Sequence, residues 1–196
     1  MKMESESGDR SYPIWLLFDP RHPVRHDIWT PILDELQDKV YRQIRRRVDT
    51  SKMLIRNAVN NSLIVPNTLN WWGEEVVTEI ELFREIALEH KPKILISFGA
   101  FAFEFVRRVY KTKPKKGPKY WGTAILGDEF RKSIENFNIN TTNRIPLLRR
   151  VITSGNYIEA HNYFCRNEGE NYFNYVGLKI AEKIIENKDK LEIWIE

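Results

Sequence analysis

The apolar residues of this chain alternate between short continuous runs and longer stretches with helical spacing. Four continuous runs predict short strands at residues 14–18, 62–65, 93–98 and 147–152, of which the first and third have the pattern of buried strands. Four stretches with apolar residues three and four apart predict helices: residues 28–44, 74–90, 100–110 and a last one from about residue 170. This alternation predicts a three-layer α/β/α sandwich with a mostly parallel, four-stranded central sheet.

Three further segments are harder to assign. The apolar group between Met53 and Val59 predicts a short helix, whereas residues 117–143 have scattered apolar anchors and no clear periodicity. Residues 191–195 alternate, which fits either an edge strand or a packed tail. The length of 196 residues supports one domain, which we place at residues 12–196 after a flexible N-terminus of residues 1–11.

Composition indicates a globular protein and excludes several kinds of site. Apolar residues make up 42% and charged residues 30%, and no apolar run approaches the roughly 20 residues that cross a bilayer. The acidic, serine-containing start has no apolar core like that of a signal peptide, so we expect a cytoplasmic monomer without membrane contact. The one cysteine, Cys165, excludes an intramolecular disulfide and any site built from several thiolates.

The net charge of +4 is unevenly distributed. One basic stretch ends the first long helix, and a second lies in a loop rich in lysine and proline. The candidate DNA-binding residues in these stretches are Arg42, Arg45, Arg46, Lys115 and Lys116. Each stretch also has a simpler interpretation, because the first can complement a helix dipole and the second can be a solvated connection.

Polar residues follow the predicted strands where open α/β sheets place their chemistry. Asp19 ends the first strand, Asn67 follows the second and Gly99 follows the third. Because the carboxyl ends of parallel strands meet at one edge of the sheet, these positions should lie close together. The alternative for Asp19 is a turn in which its carboxylate caps the next segment.

These residues resemble the motifs of uracil-DNA glycosylases. Residues 17–22, Leu-Phe-Asp-Pro-Arg-His, resemble the first motif of that family, Gly-Gln-Asp-Pro-Tyr-His. Residues 63–67 look like the strand and asparagine that read the base, and residues 94–105 like the strand, glycine and helix of the core. Residues 153–156, Thr-Ser-Gly-Asn, stand where the family has His-Pro-Ser-Pro, so the resemblance spans roughly residues 12 to 187.

The resemblance implies a role for each matching position. Asp19 would orient or activate water against the sugar carbon of a nucleotide flipped out of DNA, with His22 as the second catalytic residue. The implied base-binding residues are Phe18, Arg21, Asn67, Ser154 and Asn156. Asn70 competes with Asn67 for the base edge, and Trp71 competes with Phe18 as the stacking aromatic.

Two departures from the family pattern bear on the reaction. Arg21 stands where uracil-specific enzymes have a tyrosine that excludes the methyl group of thymine. No histidine occurs in residues 153–156, where the family uses one to stabilise the leaving base, so Ser154, Asn156 or His161 would have to donate instead. Tyr157 or Ile158 could supply the wedge that enters the DNA.

No metal or organic cofactor is expected. His22 and His26 have helical spacing, but Pro23 lies between them and no third ligand is evident. The sequence thus supports a divergent DNA base glycosylase, with DNA as its partner. It also supports a non-catalytic α/β module that binds nucleic acid or a nucleotide, and an unrelated α/β enzyme that acts on a small nucleotide.

Overall fold

A computed structural model describes six segments of the chain: residues 6–19, 26–60, 71–113, 120–149, 157–169 and 171–195. Five strands occur in these segments: β1 Glu6–Ser7, β2 Ile14–Phe18, β3 Leu54–Asn57, β4 Ile94–Phe98 and β5 Asn143–Leu147. Six α-helices accompany them: α1 His26–Ile44, α2 Glu74–His90, α3 Ala100–Val109, α4 Thr123–Glu135, α5 Tyr157–Cys165 and α6 Tyr172–Glu186. The chain therefore has the predicted α/β class.

The strands form one mixed sheet in the order β1-β3-β2-β4-β5. The four strands from β2 to β5 run parallel, and β1 pairs with β3 in the antiparallel direction. The described sheet thus has five strands, and the predicted count of four is wrong. The extra strand comes from residues that were expected to be flexible: Glu6 pairs with Arg56, and Ser7 pairs with Ile55.

The third strand replaces a predicted helix. Leu54–Asn57 pairs in parallel with β2, and its burial alternates, with Leu54 and Arg56 inside. Short apolar runs do not distinguish a strand from a buried helix turn, and pairing with β2 decides between them here. Arg56 is held inside by Glu6, whose Oε2 lies 3.2 Å from Arg56 Nη1. The strand predicted at residues 62–65 lies outside the described residues.

The last strand begins four residues before its predicted start. It covers Asn143–Leu147 instead of residues 147–152, of which residues 148 and 149 are described and lie beyond the strand. The strand was not predicted at these residues because the charged Arg144 and Pro146 interrupt its apolar pattern. Proline is tolerated at this position because β5 is an edge of the described sheet.

Helices pack on both faces of the sheet. One hydrophobic cluster combines Leu16 and Phe18 with apolar residues of α1, α4 and α6. A second cluster combines Trp15 and Leu17 with apolar residues of α2 and α3. Alternate residues of β2 therefore enter opposite clusters, as expected for a strand buried on both faces.

The predicted helices over residues 74–90 and 100–110 are confirmed, as is the last one, which begins at Tyr172. Helix α4 and the start of β5 occupy the segment that the periodicity left unassigned. The C-terminal residues form a packed tail, in which Leu191 and Ile193 are buried and Trp194 makes an isolated antiparallel bridge with Val48. No described helix has the length and apolar character that crossing a membrane requires.

Candidate functional site

The topology creates a crevice at the carboxyl ends of β2 and β4. After β2 the chain forms β3 on one side of it, and then crosses to form β4 on the other side. Ligands of open α/β sheets bind where the strand order reverses in this way, outside the carboxyl ends of the strands. Asp19 directly follows β2 and Gly99 directly follows β4, so both residues lie at this point.

Asp19 is buried, with 1% of its surface exposed. Its Oδ2 atom lies 4.0 Å from Nη1 of Arg149, whose side chain is 37% exposed. A carboxylate withdrawn from water requires compensation by a positive charge or by hydrogen bonds, and Arg149 supplies a positive charge. The pair therefore joins a buried carboxylate at the end of β2 to a guanidinium that is partly exposed to solvent.

Gly99 allows Arg149 to reach this position. Its φ angle is +93°, and a Cβ atom built on Gly99 would lie 2.5 Å from Cβ of Arg149. The Gly99 amide donates a hydrogen bond of 2.8 Å to the carbonyl of Leu147, which joins the start of α3 to the end of β5. The glycine is thus required both by its backbone conformation and by the close approach of Arg149.

The two aromatic residues proposed for base stacking lie in clusters on opposite faces of the sheet. The Phe18 ring stacks on Phe98 with centroids 4.3 Å apart and an interplanar angle of 6°. Trp71 packs edge-on against Trp72 and Phe101 in the other cluster. Phe18 is adjacent to Asp19 in the chain, and Trp71 packs on Phe101, which lies two residues after Gly99.

Tyr172 holds the chain where β5 ends. The buried Tyr172 hydroxyl accepts a hydrogen bond of 3.0 Å from the amide of Leu148, the residue before Arg149. Burial raises the pKa of Tyr172, so the phenol stays neutral at physiological pH. This contact fixes the backbone from which Arg149 extends toward Asp19.

His161 packs against Tyr172, with ring centroids 5.3 Å apart. Its Nε2 atom is buried, and no hydrogen-bond partner for it occurs among the described residues. Burial lowers the pKa of His161, which favours the neutral imidazole at pH 7. Near neutral pH His161 would therefore interact as a neutral ring, with one nitrogen that donates a hydrogen bond and one that accepts.

The basic residues at and just after the end of α1 lie at the opposite end of the sheet from Asp19. They end a helix of 19 residues, about 28 Å long, and lead into the amino end of β3. Arg42 pairs with Asp38 at 3.0 Å, and the Arg45 and Arg46 guanidinium groups lie over the rings of Tyr41 and Trp194. The structure does not bring these arginines together with Asp19.

The remaining sequence-predicted site residues lie outside the described residues. They are the catalytic candidate His22, the base-binding candidates Arg21, Asn67, Asn70, Ser154 and Asn156, and the DNA-binding candidates Lys115 and Lys116. The side chains of Tyr157 and Ile158, the candidates for the wedge, are likewise not described.

Two residues of the crevice were missed as site candidates: Arg149 and Tyr172. Arg149 was placed inside a strand because the strand was predicted four residues too late. Tyr172 has the pattern of one more apolar residue of the last helix, and nothing in its local sequence marks its bond to Leu148. Gly99 was recognised as a turn after a strand, but its contact with Arg149 depends on residues far apart in the chain.

The arrangement offers acid–base and electrostatic chemistry. A buried carboxylate can orient a water molecule, accept its proton or stabilise a developing positive charge, and Arg149 can contact an anionic group of a ligand. Within the described residues, no cluster of three or more His, Cys, Asp or Glu side chains could hold a metal ion. Cys165 is buried, and burial raises the pKa of its thiol to about 12, so thiolate chemistry is disfavoured.

Comparison with known proteins adds no family assignment. No protein-family model matches the chain, and no curated protein matches it at a significant level of sequence similarity.

Proposed function

We propose that this protein is a divergent DNA base glycosylase, which hydrolyses the N-glycosidic bond of a damaged or deaminated base flipped out of DNA. The observation that carries the proposal is the buried Asp19 carboxylate at the crevice between β2 and β4. The resemblance of residues 17–22 to the first motif of uracil-DNA glycosylases supports the same role for this aspartate. As part of this proposal, the fold is a three-layer α/β/α sandwich.

The reaction breaks the bond between the sugar C1′ and a base nitrogen. Water adds its oxygen to C1′, its proton passes to Asp19 or to solvent, and the base leaves with the bonding electron pair and gains a proton. The transition state carries positive charge on the sugar and negative charge on the base. An anionic Asp19 can act in two ways at the sugar: it can orient the attacking water, and it can stabilise the positive charge that develops on the sugar.

Arg149 has a positioning role in this proposal. Its guanidinium is partly exposed and lies 4.0 Å from the Asp19 carboxylate. A guanidinium matches the geometry of phosphate oxygens, so Arg149 is suited to bind a phosphate next to the flipped nucleotide. Phosphate binding would draw the cation away from Asp19 and leave more negative charge available for the sugar.

The test measures abasic product from labelled oligonucleotides, both single- and double-stranded, that contain uracil, hypoxanthine or a mismatch. We expect Asp19→Asn to lower the rate by about 100- to 1000-fold, as removal of one positioned electrostatic group commonly does. Glu104→Gln is the matched control, because it also removes a buried carboxylate, on α3 instead of at the crevice. Absence of product with the wild-type protein on every substrate would refute the proposal.

A second candidate is a non-catalytic module that binds nucleic acid. The observation in its favour is the position of Arg45 and Arg46, which lie at the opposite end of the sheet from Asp19. In this case Asp19→Asn would bind DNA as wild type does. A double variant with Arg45→Gln and Arg46→Gln would bind more weakly and reduce the slope of log K against log salt by about 2, roughly one for each phosphate that an arginine no longer neutralises.

A further inference from the structure

A second concave region lies at the amino end of β5, between α3 and α4. Its volume is about 410 Å³, within the range of small-molecule sites. Its polar lining includes Arg107, Thr112, Glu129, Lys132, Thr142 and Arg144. The five residues of β5 separate this cavity from the carboxyl ends of the strands by about 13 Å. The cavity is therefore distinct from the crevice at Asp19.

Arg144 is the central cation of this cavity. Its Nη1 atom donates a hydrogen bond of 2.9 Å to Thr112 Oγ1, and its Cζ atom lies 5.0 Å from the centroid of the Tyr110 ring. Burial is the main cause that lowers the pKa of the Arg144 guanidinium; the Tyr110 phenol opposes this change, and the Arg107 cation makes a smaller contribution that lowers the pKa. A guanidinium remains charged at neutral pH in spite of such a shift, so the cavity contains a partly desolvated cation.

No carboxylate among the described residues forms an ion pair with Arg144. The nearby acids pair with other cations: Glu104 lies 3.4 Å from both Arg107 and Arg108, and Glu129 lies 2.9 Å from Lys132. Arg144 is therefore the cation of this cavity without a carboxylate partner in the described residues, and an anion that enters the cavity would offset its desolvation.

Arg56 is a buried arginine with a structural role, and its charge is balanced within the protein. Burial is also the main cause that lowers the pKa of Arg56, but its Nη1 atom lies 3.2 Å from Glu6. Both guanidinium groups are thus desolvated, and only one of the two has a carboxylate partner among the described residues. Arg144 thus lacks the kind of carboxylate partner that Arg56 has, and an anionic ligand would supply one.

We propose that this cavity binds the phosphate group of a phosphorylated ligand, with Arg144 as the main contact. The planar guanidinium donates two parallel hydrogen bonds to phosphate oxygens. Thr112 accepts a hydrogen bond from Arg144 and keeps its own hydroxyl proton, which it can donate to the same phosphate. The volume exceeds that of a phosphate ion, which leaves room for the remainder of a nucleotide or for adjoining DNA backbone.

Isothermal titration of the whole protein at low ionic strength tests the proposal, with pyrophosphate and an unmodified DNA duplex as separate ligands. We expect Arg144→Gln to weaken binding by about 10- to 100-fold, the loss typical of a hydrogen bond to a charged group. Lys190→Gln is the control: it removes the same charge from an exposed position outside the cavity, and its effect should stay within about twofold.

The two ligands distinguish the source of the phosphate. Weaker binding of pyrophosphate alone in Arg144→Gln identifies a small phosphorylated ligand, and weaker binding of the duplex identifies a backbone phosphate. The proposal is overturned if the wild-type protein binds neither ligand. It is also overturned if Arg144→Gln binds both as tightly as the wild-type protein does.

Two milder variants keep the test decisive if Arg144→Gln does not fold. Lys132→Gln removes an exposed cation at the cavity and should weaken binding by about two- to fivefold. Glu129→Gln removes the carboxylate that repels an anion and should strengthen binding by a similar factor. Unchanged affinity in both variants would contradict a phosphate site.

Discussion

Both ends of the sheet contain an arginine, but the two arginines differ in how their charge is balanced. At the carboxyl ends of the strands, Arg149 lies 4.0 Å from the buried carboxylate of Asp19. At the amino end of β5, Arg144 has no carboxylate partner in the described part of the chain. The first end is therefore suited to chemistry that needs an acid, and the second is suited to binding an anion.

The backbone differs between the ends as well. At the carboxyl end, Gly99 has a φ of +93° and no room for a side chain, and the Tyr172 hydroxyl holds the amide of Leu148. At the amino end, Arg144 bonds to Thr112 through side chains. The carboxyl end is thus constrained through its backbone, and the amino end is organised through side chains that a ligand can displace. Four predictions test this contrast.

The largest effect is expected from Gly99→Ala. The new Cβ would meet Arg149, and alanine disfavours the positive φ, so we expect the free energy of unfolding to fall by about 2–4 kcal/mol. Gly122→Ala is the matched control, since Gly122 also precedes a helix but has a φ of −66° and open space within 4 Å of the position that a Cβ would take. Chemical denaturation measures both variants. Equal stability of the two would show that the carboxyl end is not constrained at Gly99.

The buried Arg56 and the partly buried Arg144 should respond differently to removal of their charge. We expect Arg56→Met to lower the free energy of unfolding by about 1.5–3 kcal/mol, because it leaves Glu6 without this partner. Arg144→Met should change it by less than about 1 kcal/mol, because the missing hydrogen bond is offset by relief of desolvation and of repulsion from Arg107. Urea denaturation without phosphate in the buffer measures both. A larger loss in Arg144→Met would make Arg144 a structural residue.

Tyr172→Phe tests the anchor of Arg149. It leaves the buried amide of Leu148 without its acceptor, so we expect a loss of about 1–3 kcal/mol in the free energy of unfolding. Tyr163→Phe is the control, because that tyrosine is exposed and its change should be within about 0.5 kcal/mol. Hydrogen exchange at the Leu148 amide gives a second measurement. Unchanged protection there would contradict the role of the hydroxyl.

The smallest effect concerns pH. Burial lowers the pKa of His161 below its ordinary 6.5, so the unfolded chain binds the proton more readily than the folded protein. The contribution of His161 to stability is present above pH 6.5 and is lost as the pH falls from 6.5 through the lower pKa of the folded protein. We expect the stability of His161→Gln to depend less on pH than that of wild type between about pH 5 and 7. If the free energy of unfolding of the two proteins varied with pH in the same way, His161 would not be the titrating group.

The spacing of apolar residues along the chain correctly predicted those strands and helices that bury a continuous apolar surface. The apolar run of β2, the run of β4 and the amphipathic helices α2 and α6 all occur where periodicity placed them. The position of Asp19 at the end of a central strand also followed from the sequence, because a carboxylate directly after a buried run must lie at a strand end. The residues that lie near Asp19 in space, such as Arg149, could not be predicted from local pattern.

The errors share a physical cause. Residues 54–57 and 143–147 are strands because they pair with β2 and β4, and their own sequences contain Arg56, Arg144 and Pro146. A charged residue inside a short strand is stable when a distant group offsets its desolvation, as Glu6 does for Arg56. These two partners are far apart in the chain, so local periodicity does not reveal them.

The sequence by itself determined the α/β class, the central strands and the position of Asp19, because hydrophobic periodicity and strand ends are local properties. The tertiary structure alone decided the five-stranded order, the approach of Arg149 to Asp19 over Gly99, and the Arg144 cavity at the other end of the sheet. Each of these depends on the pairing of strands far apart in the chain, which brings together charges that no local pattern connects.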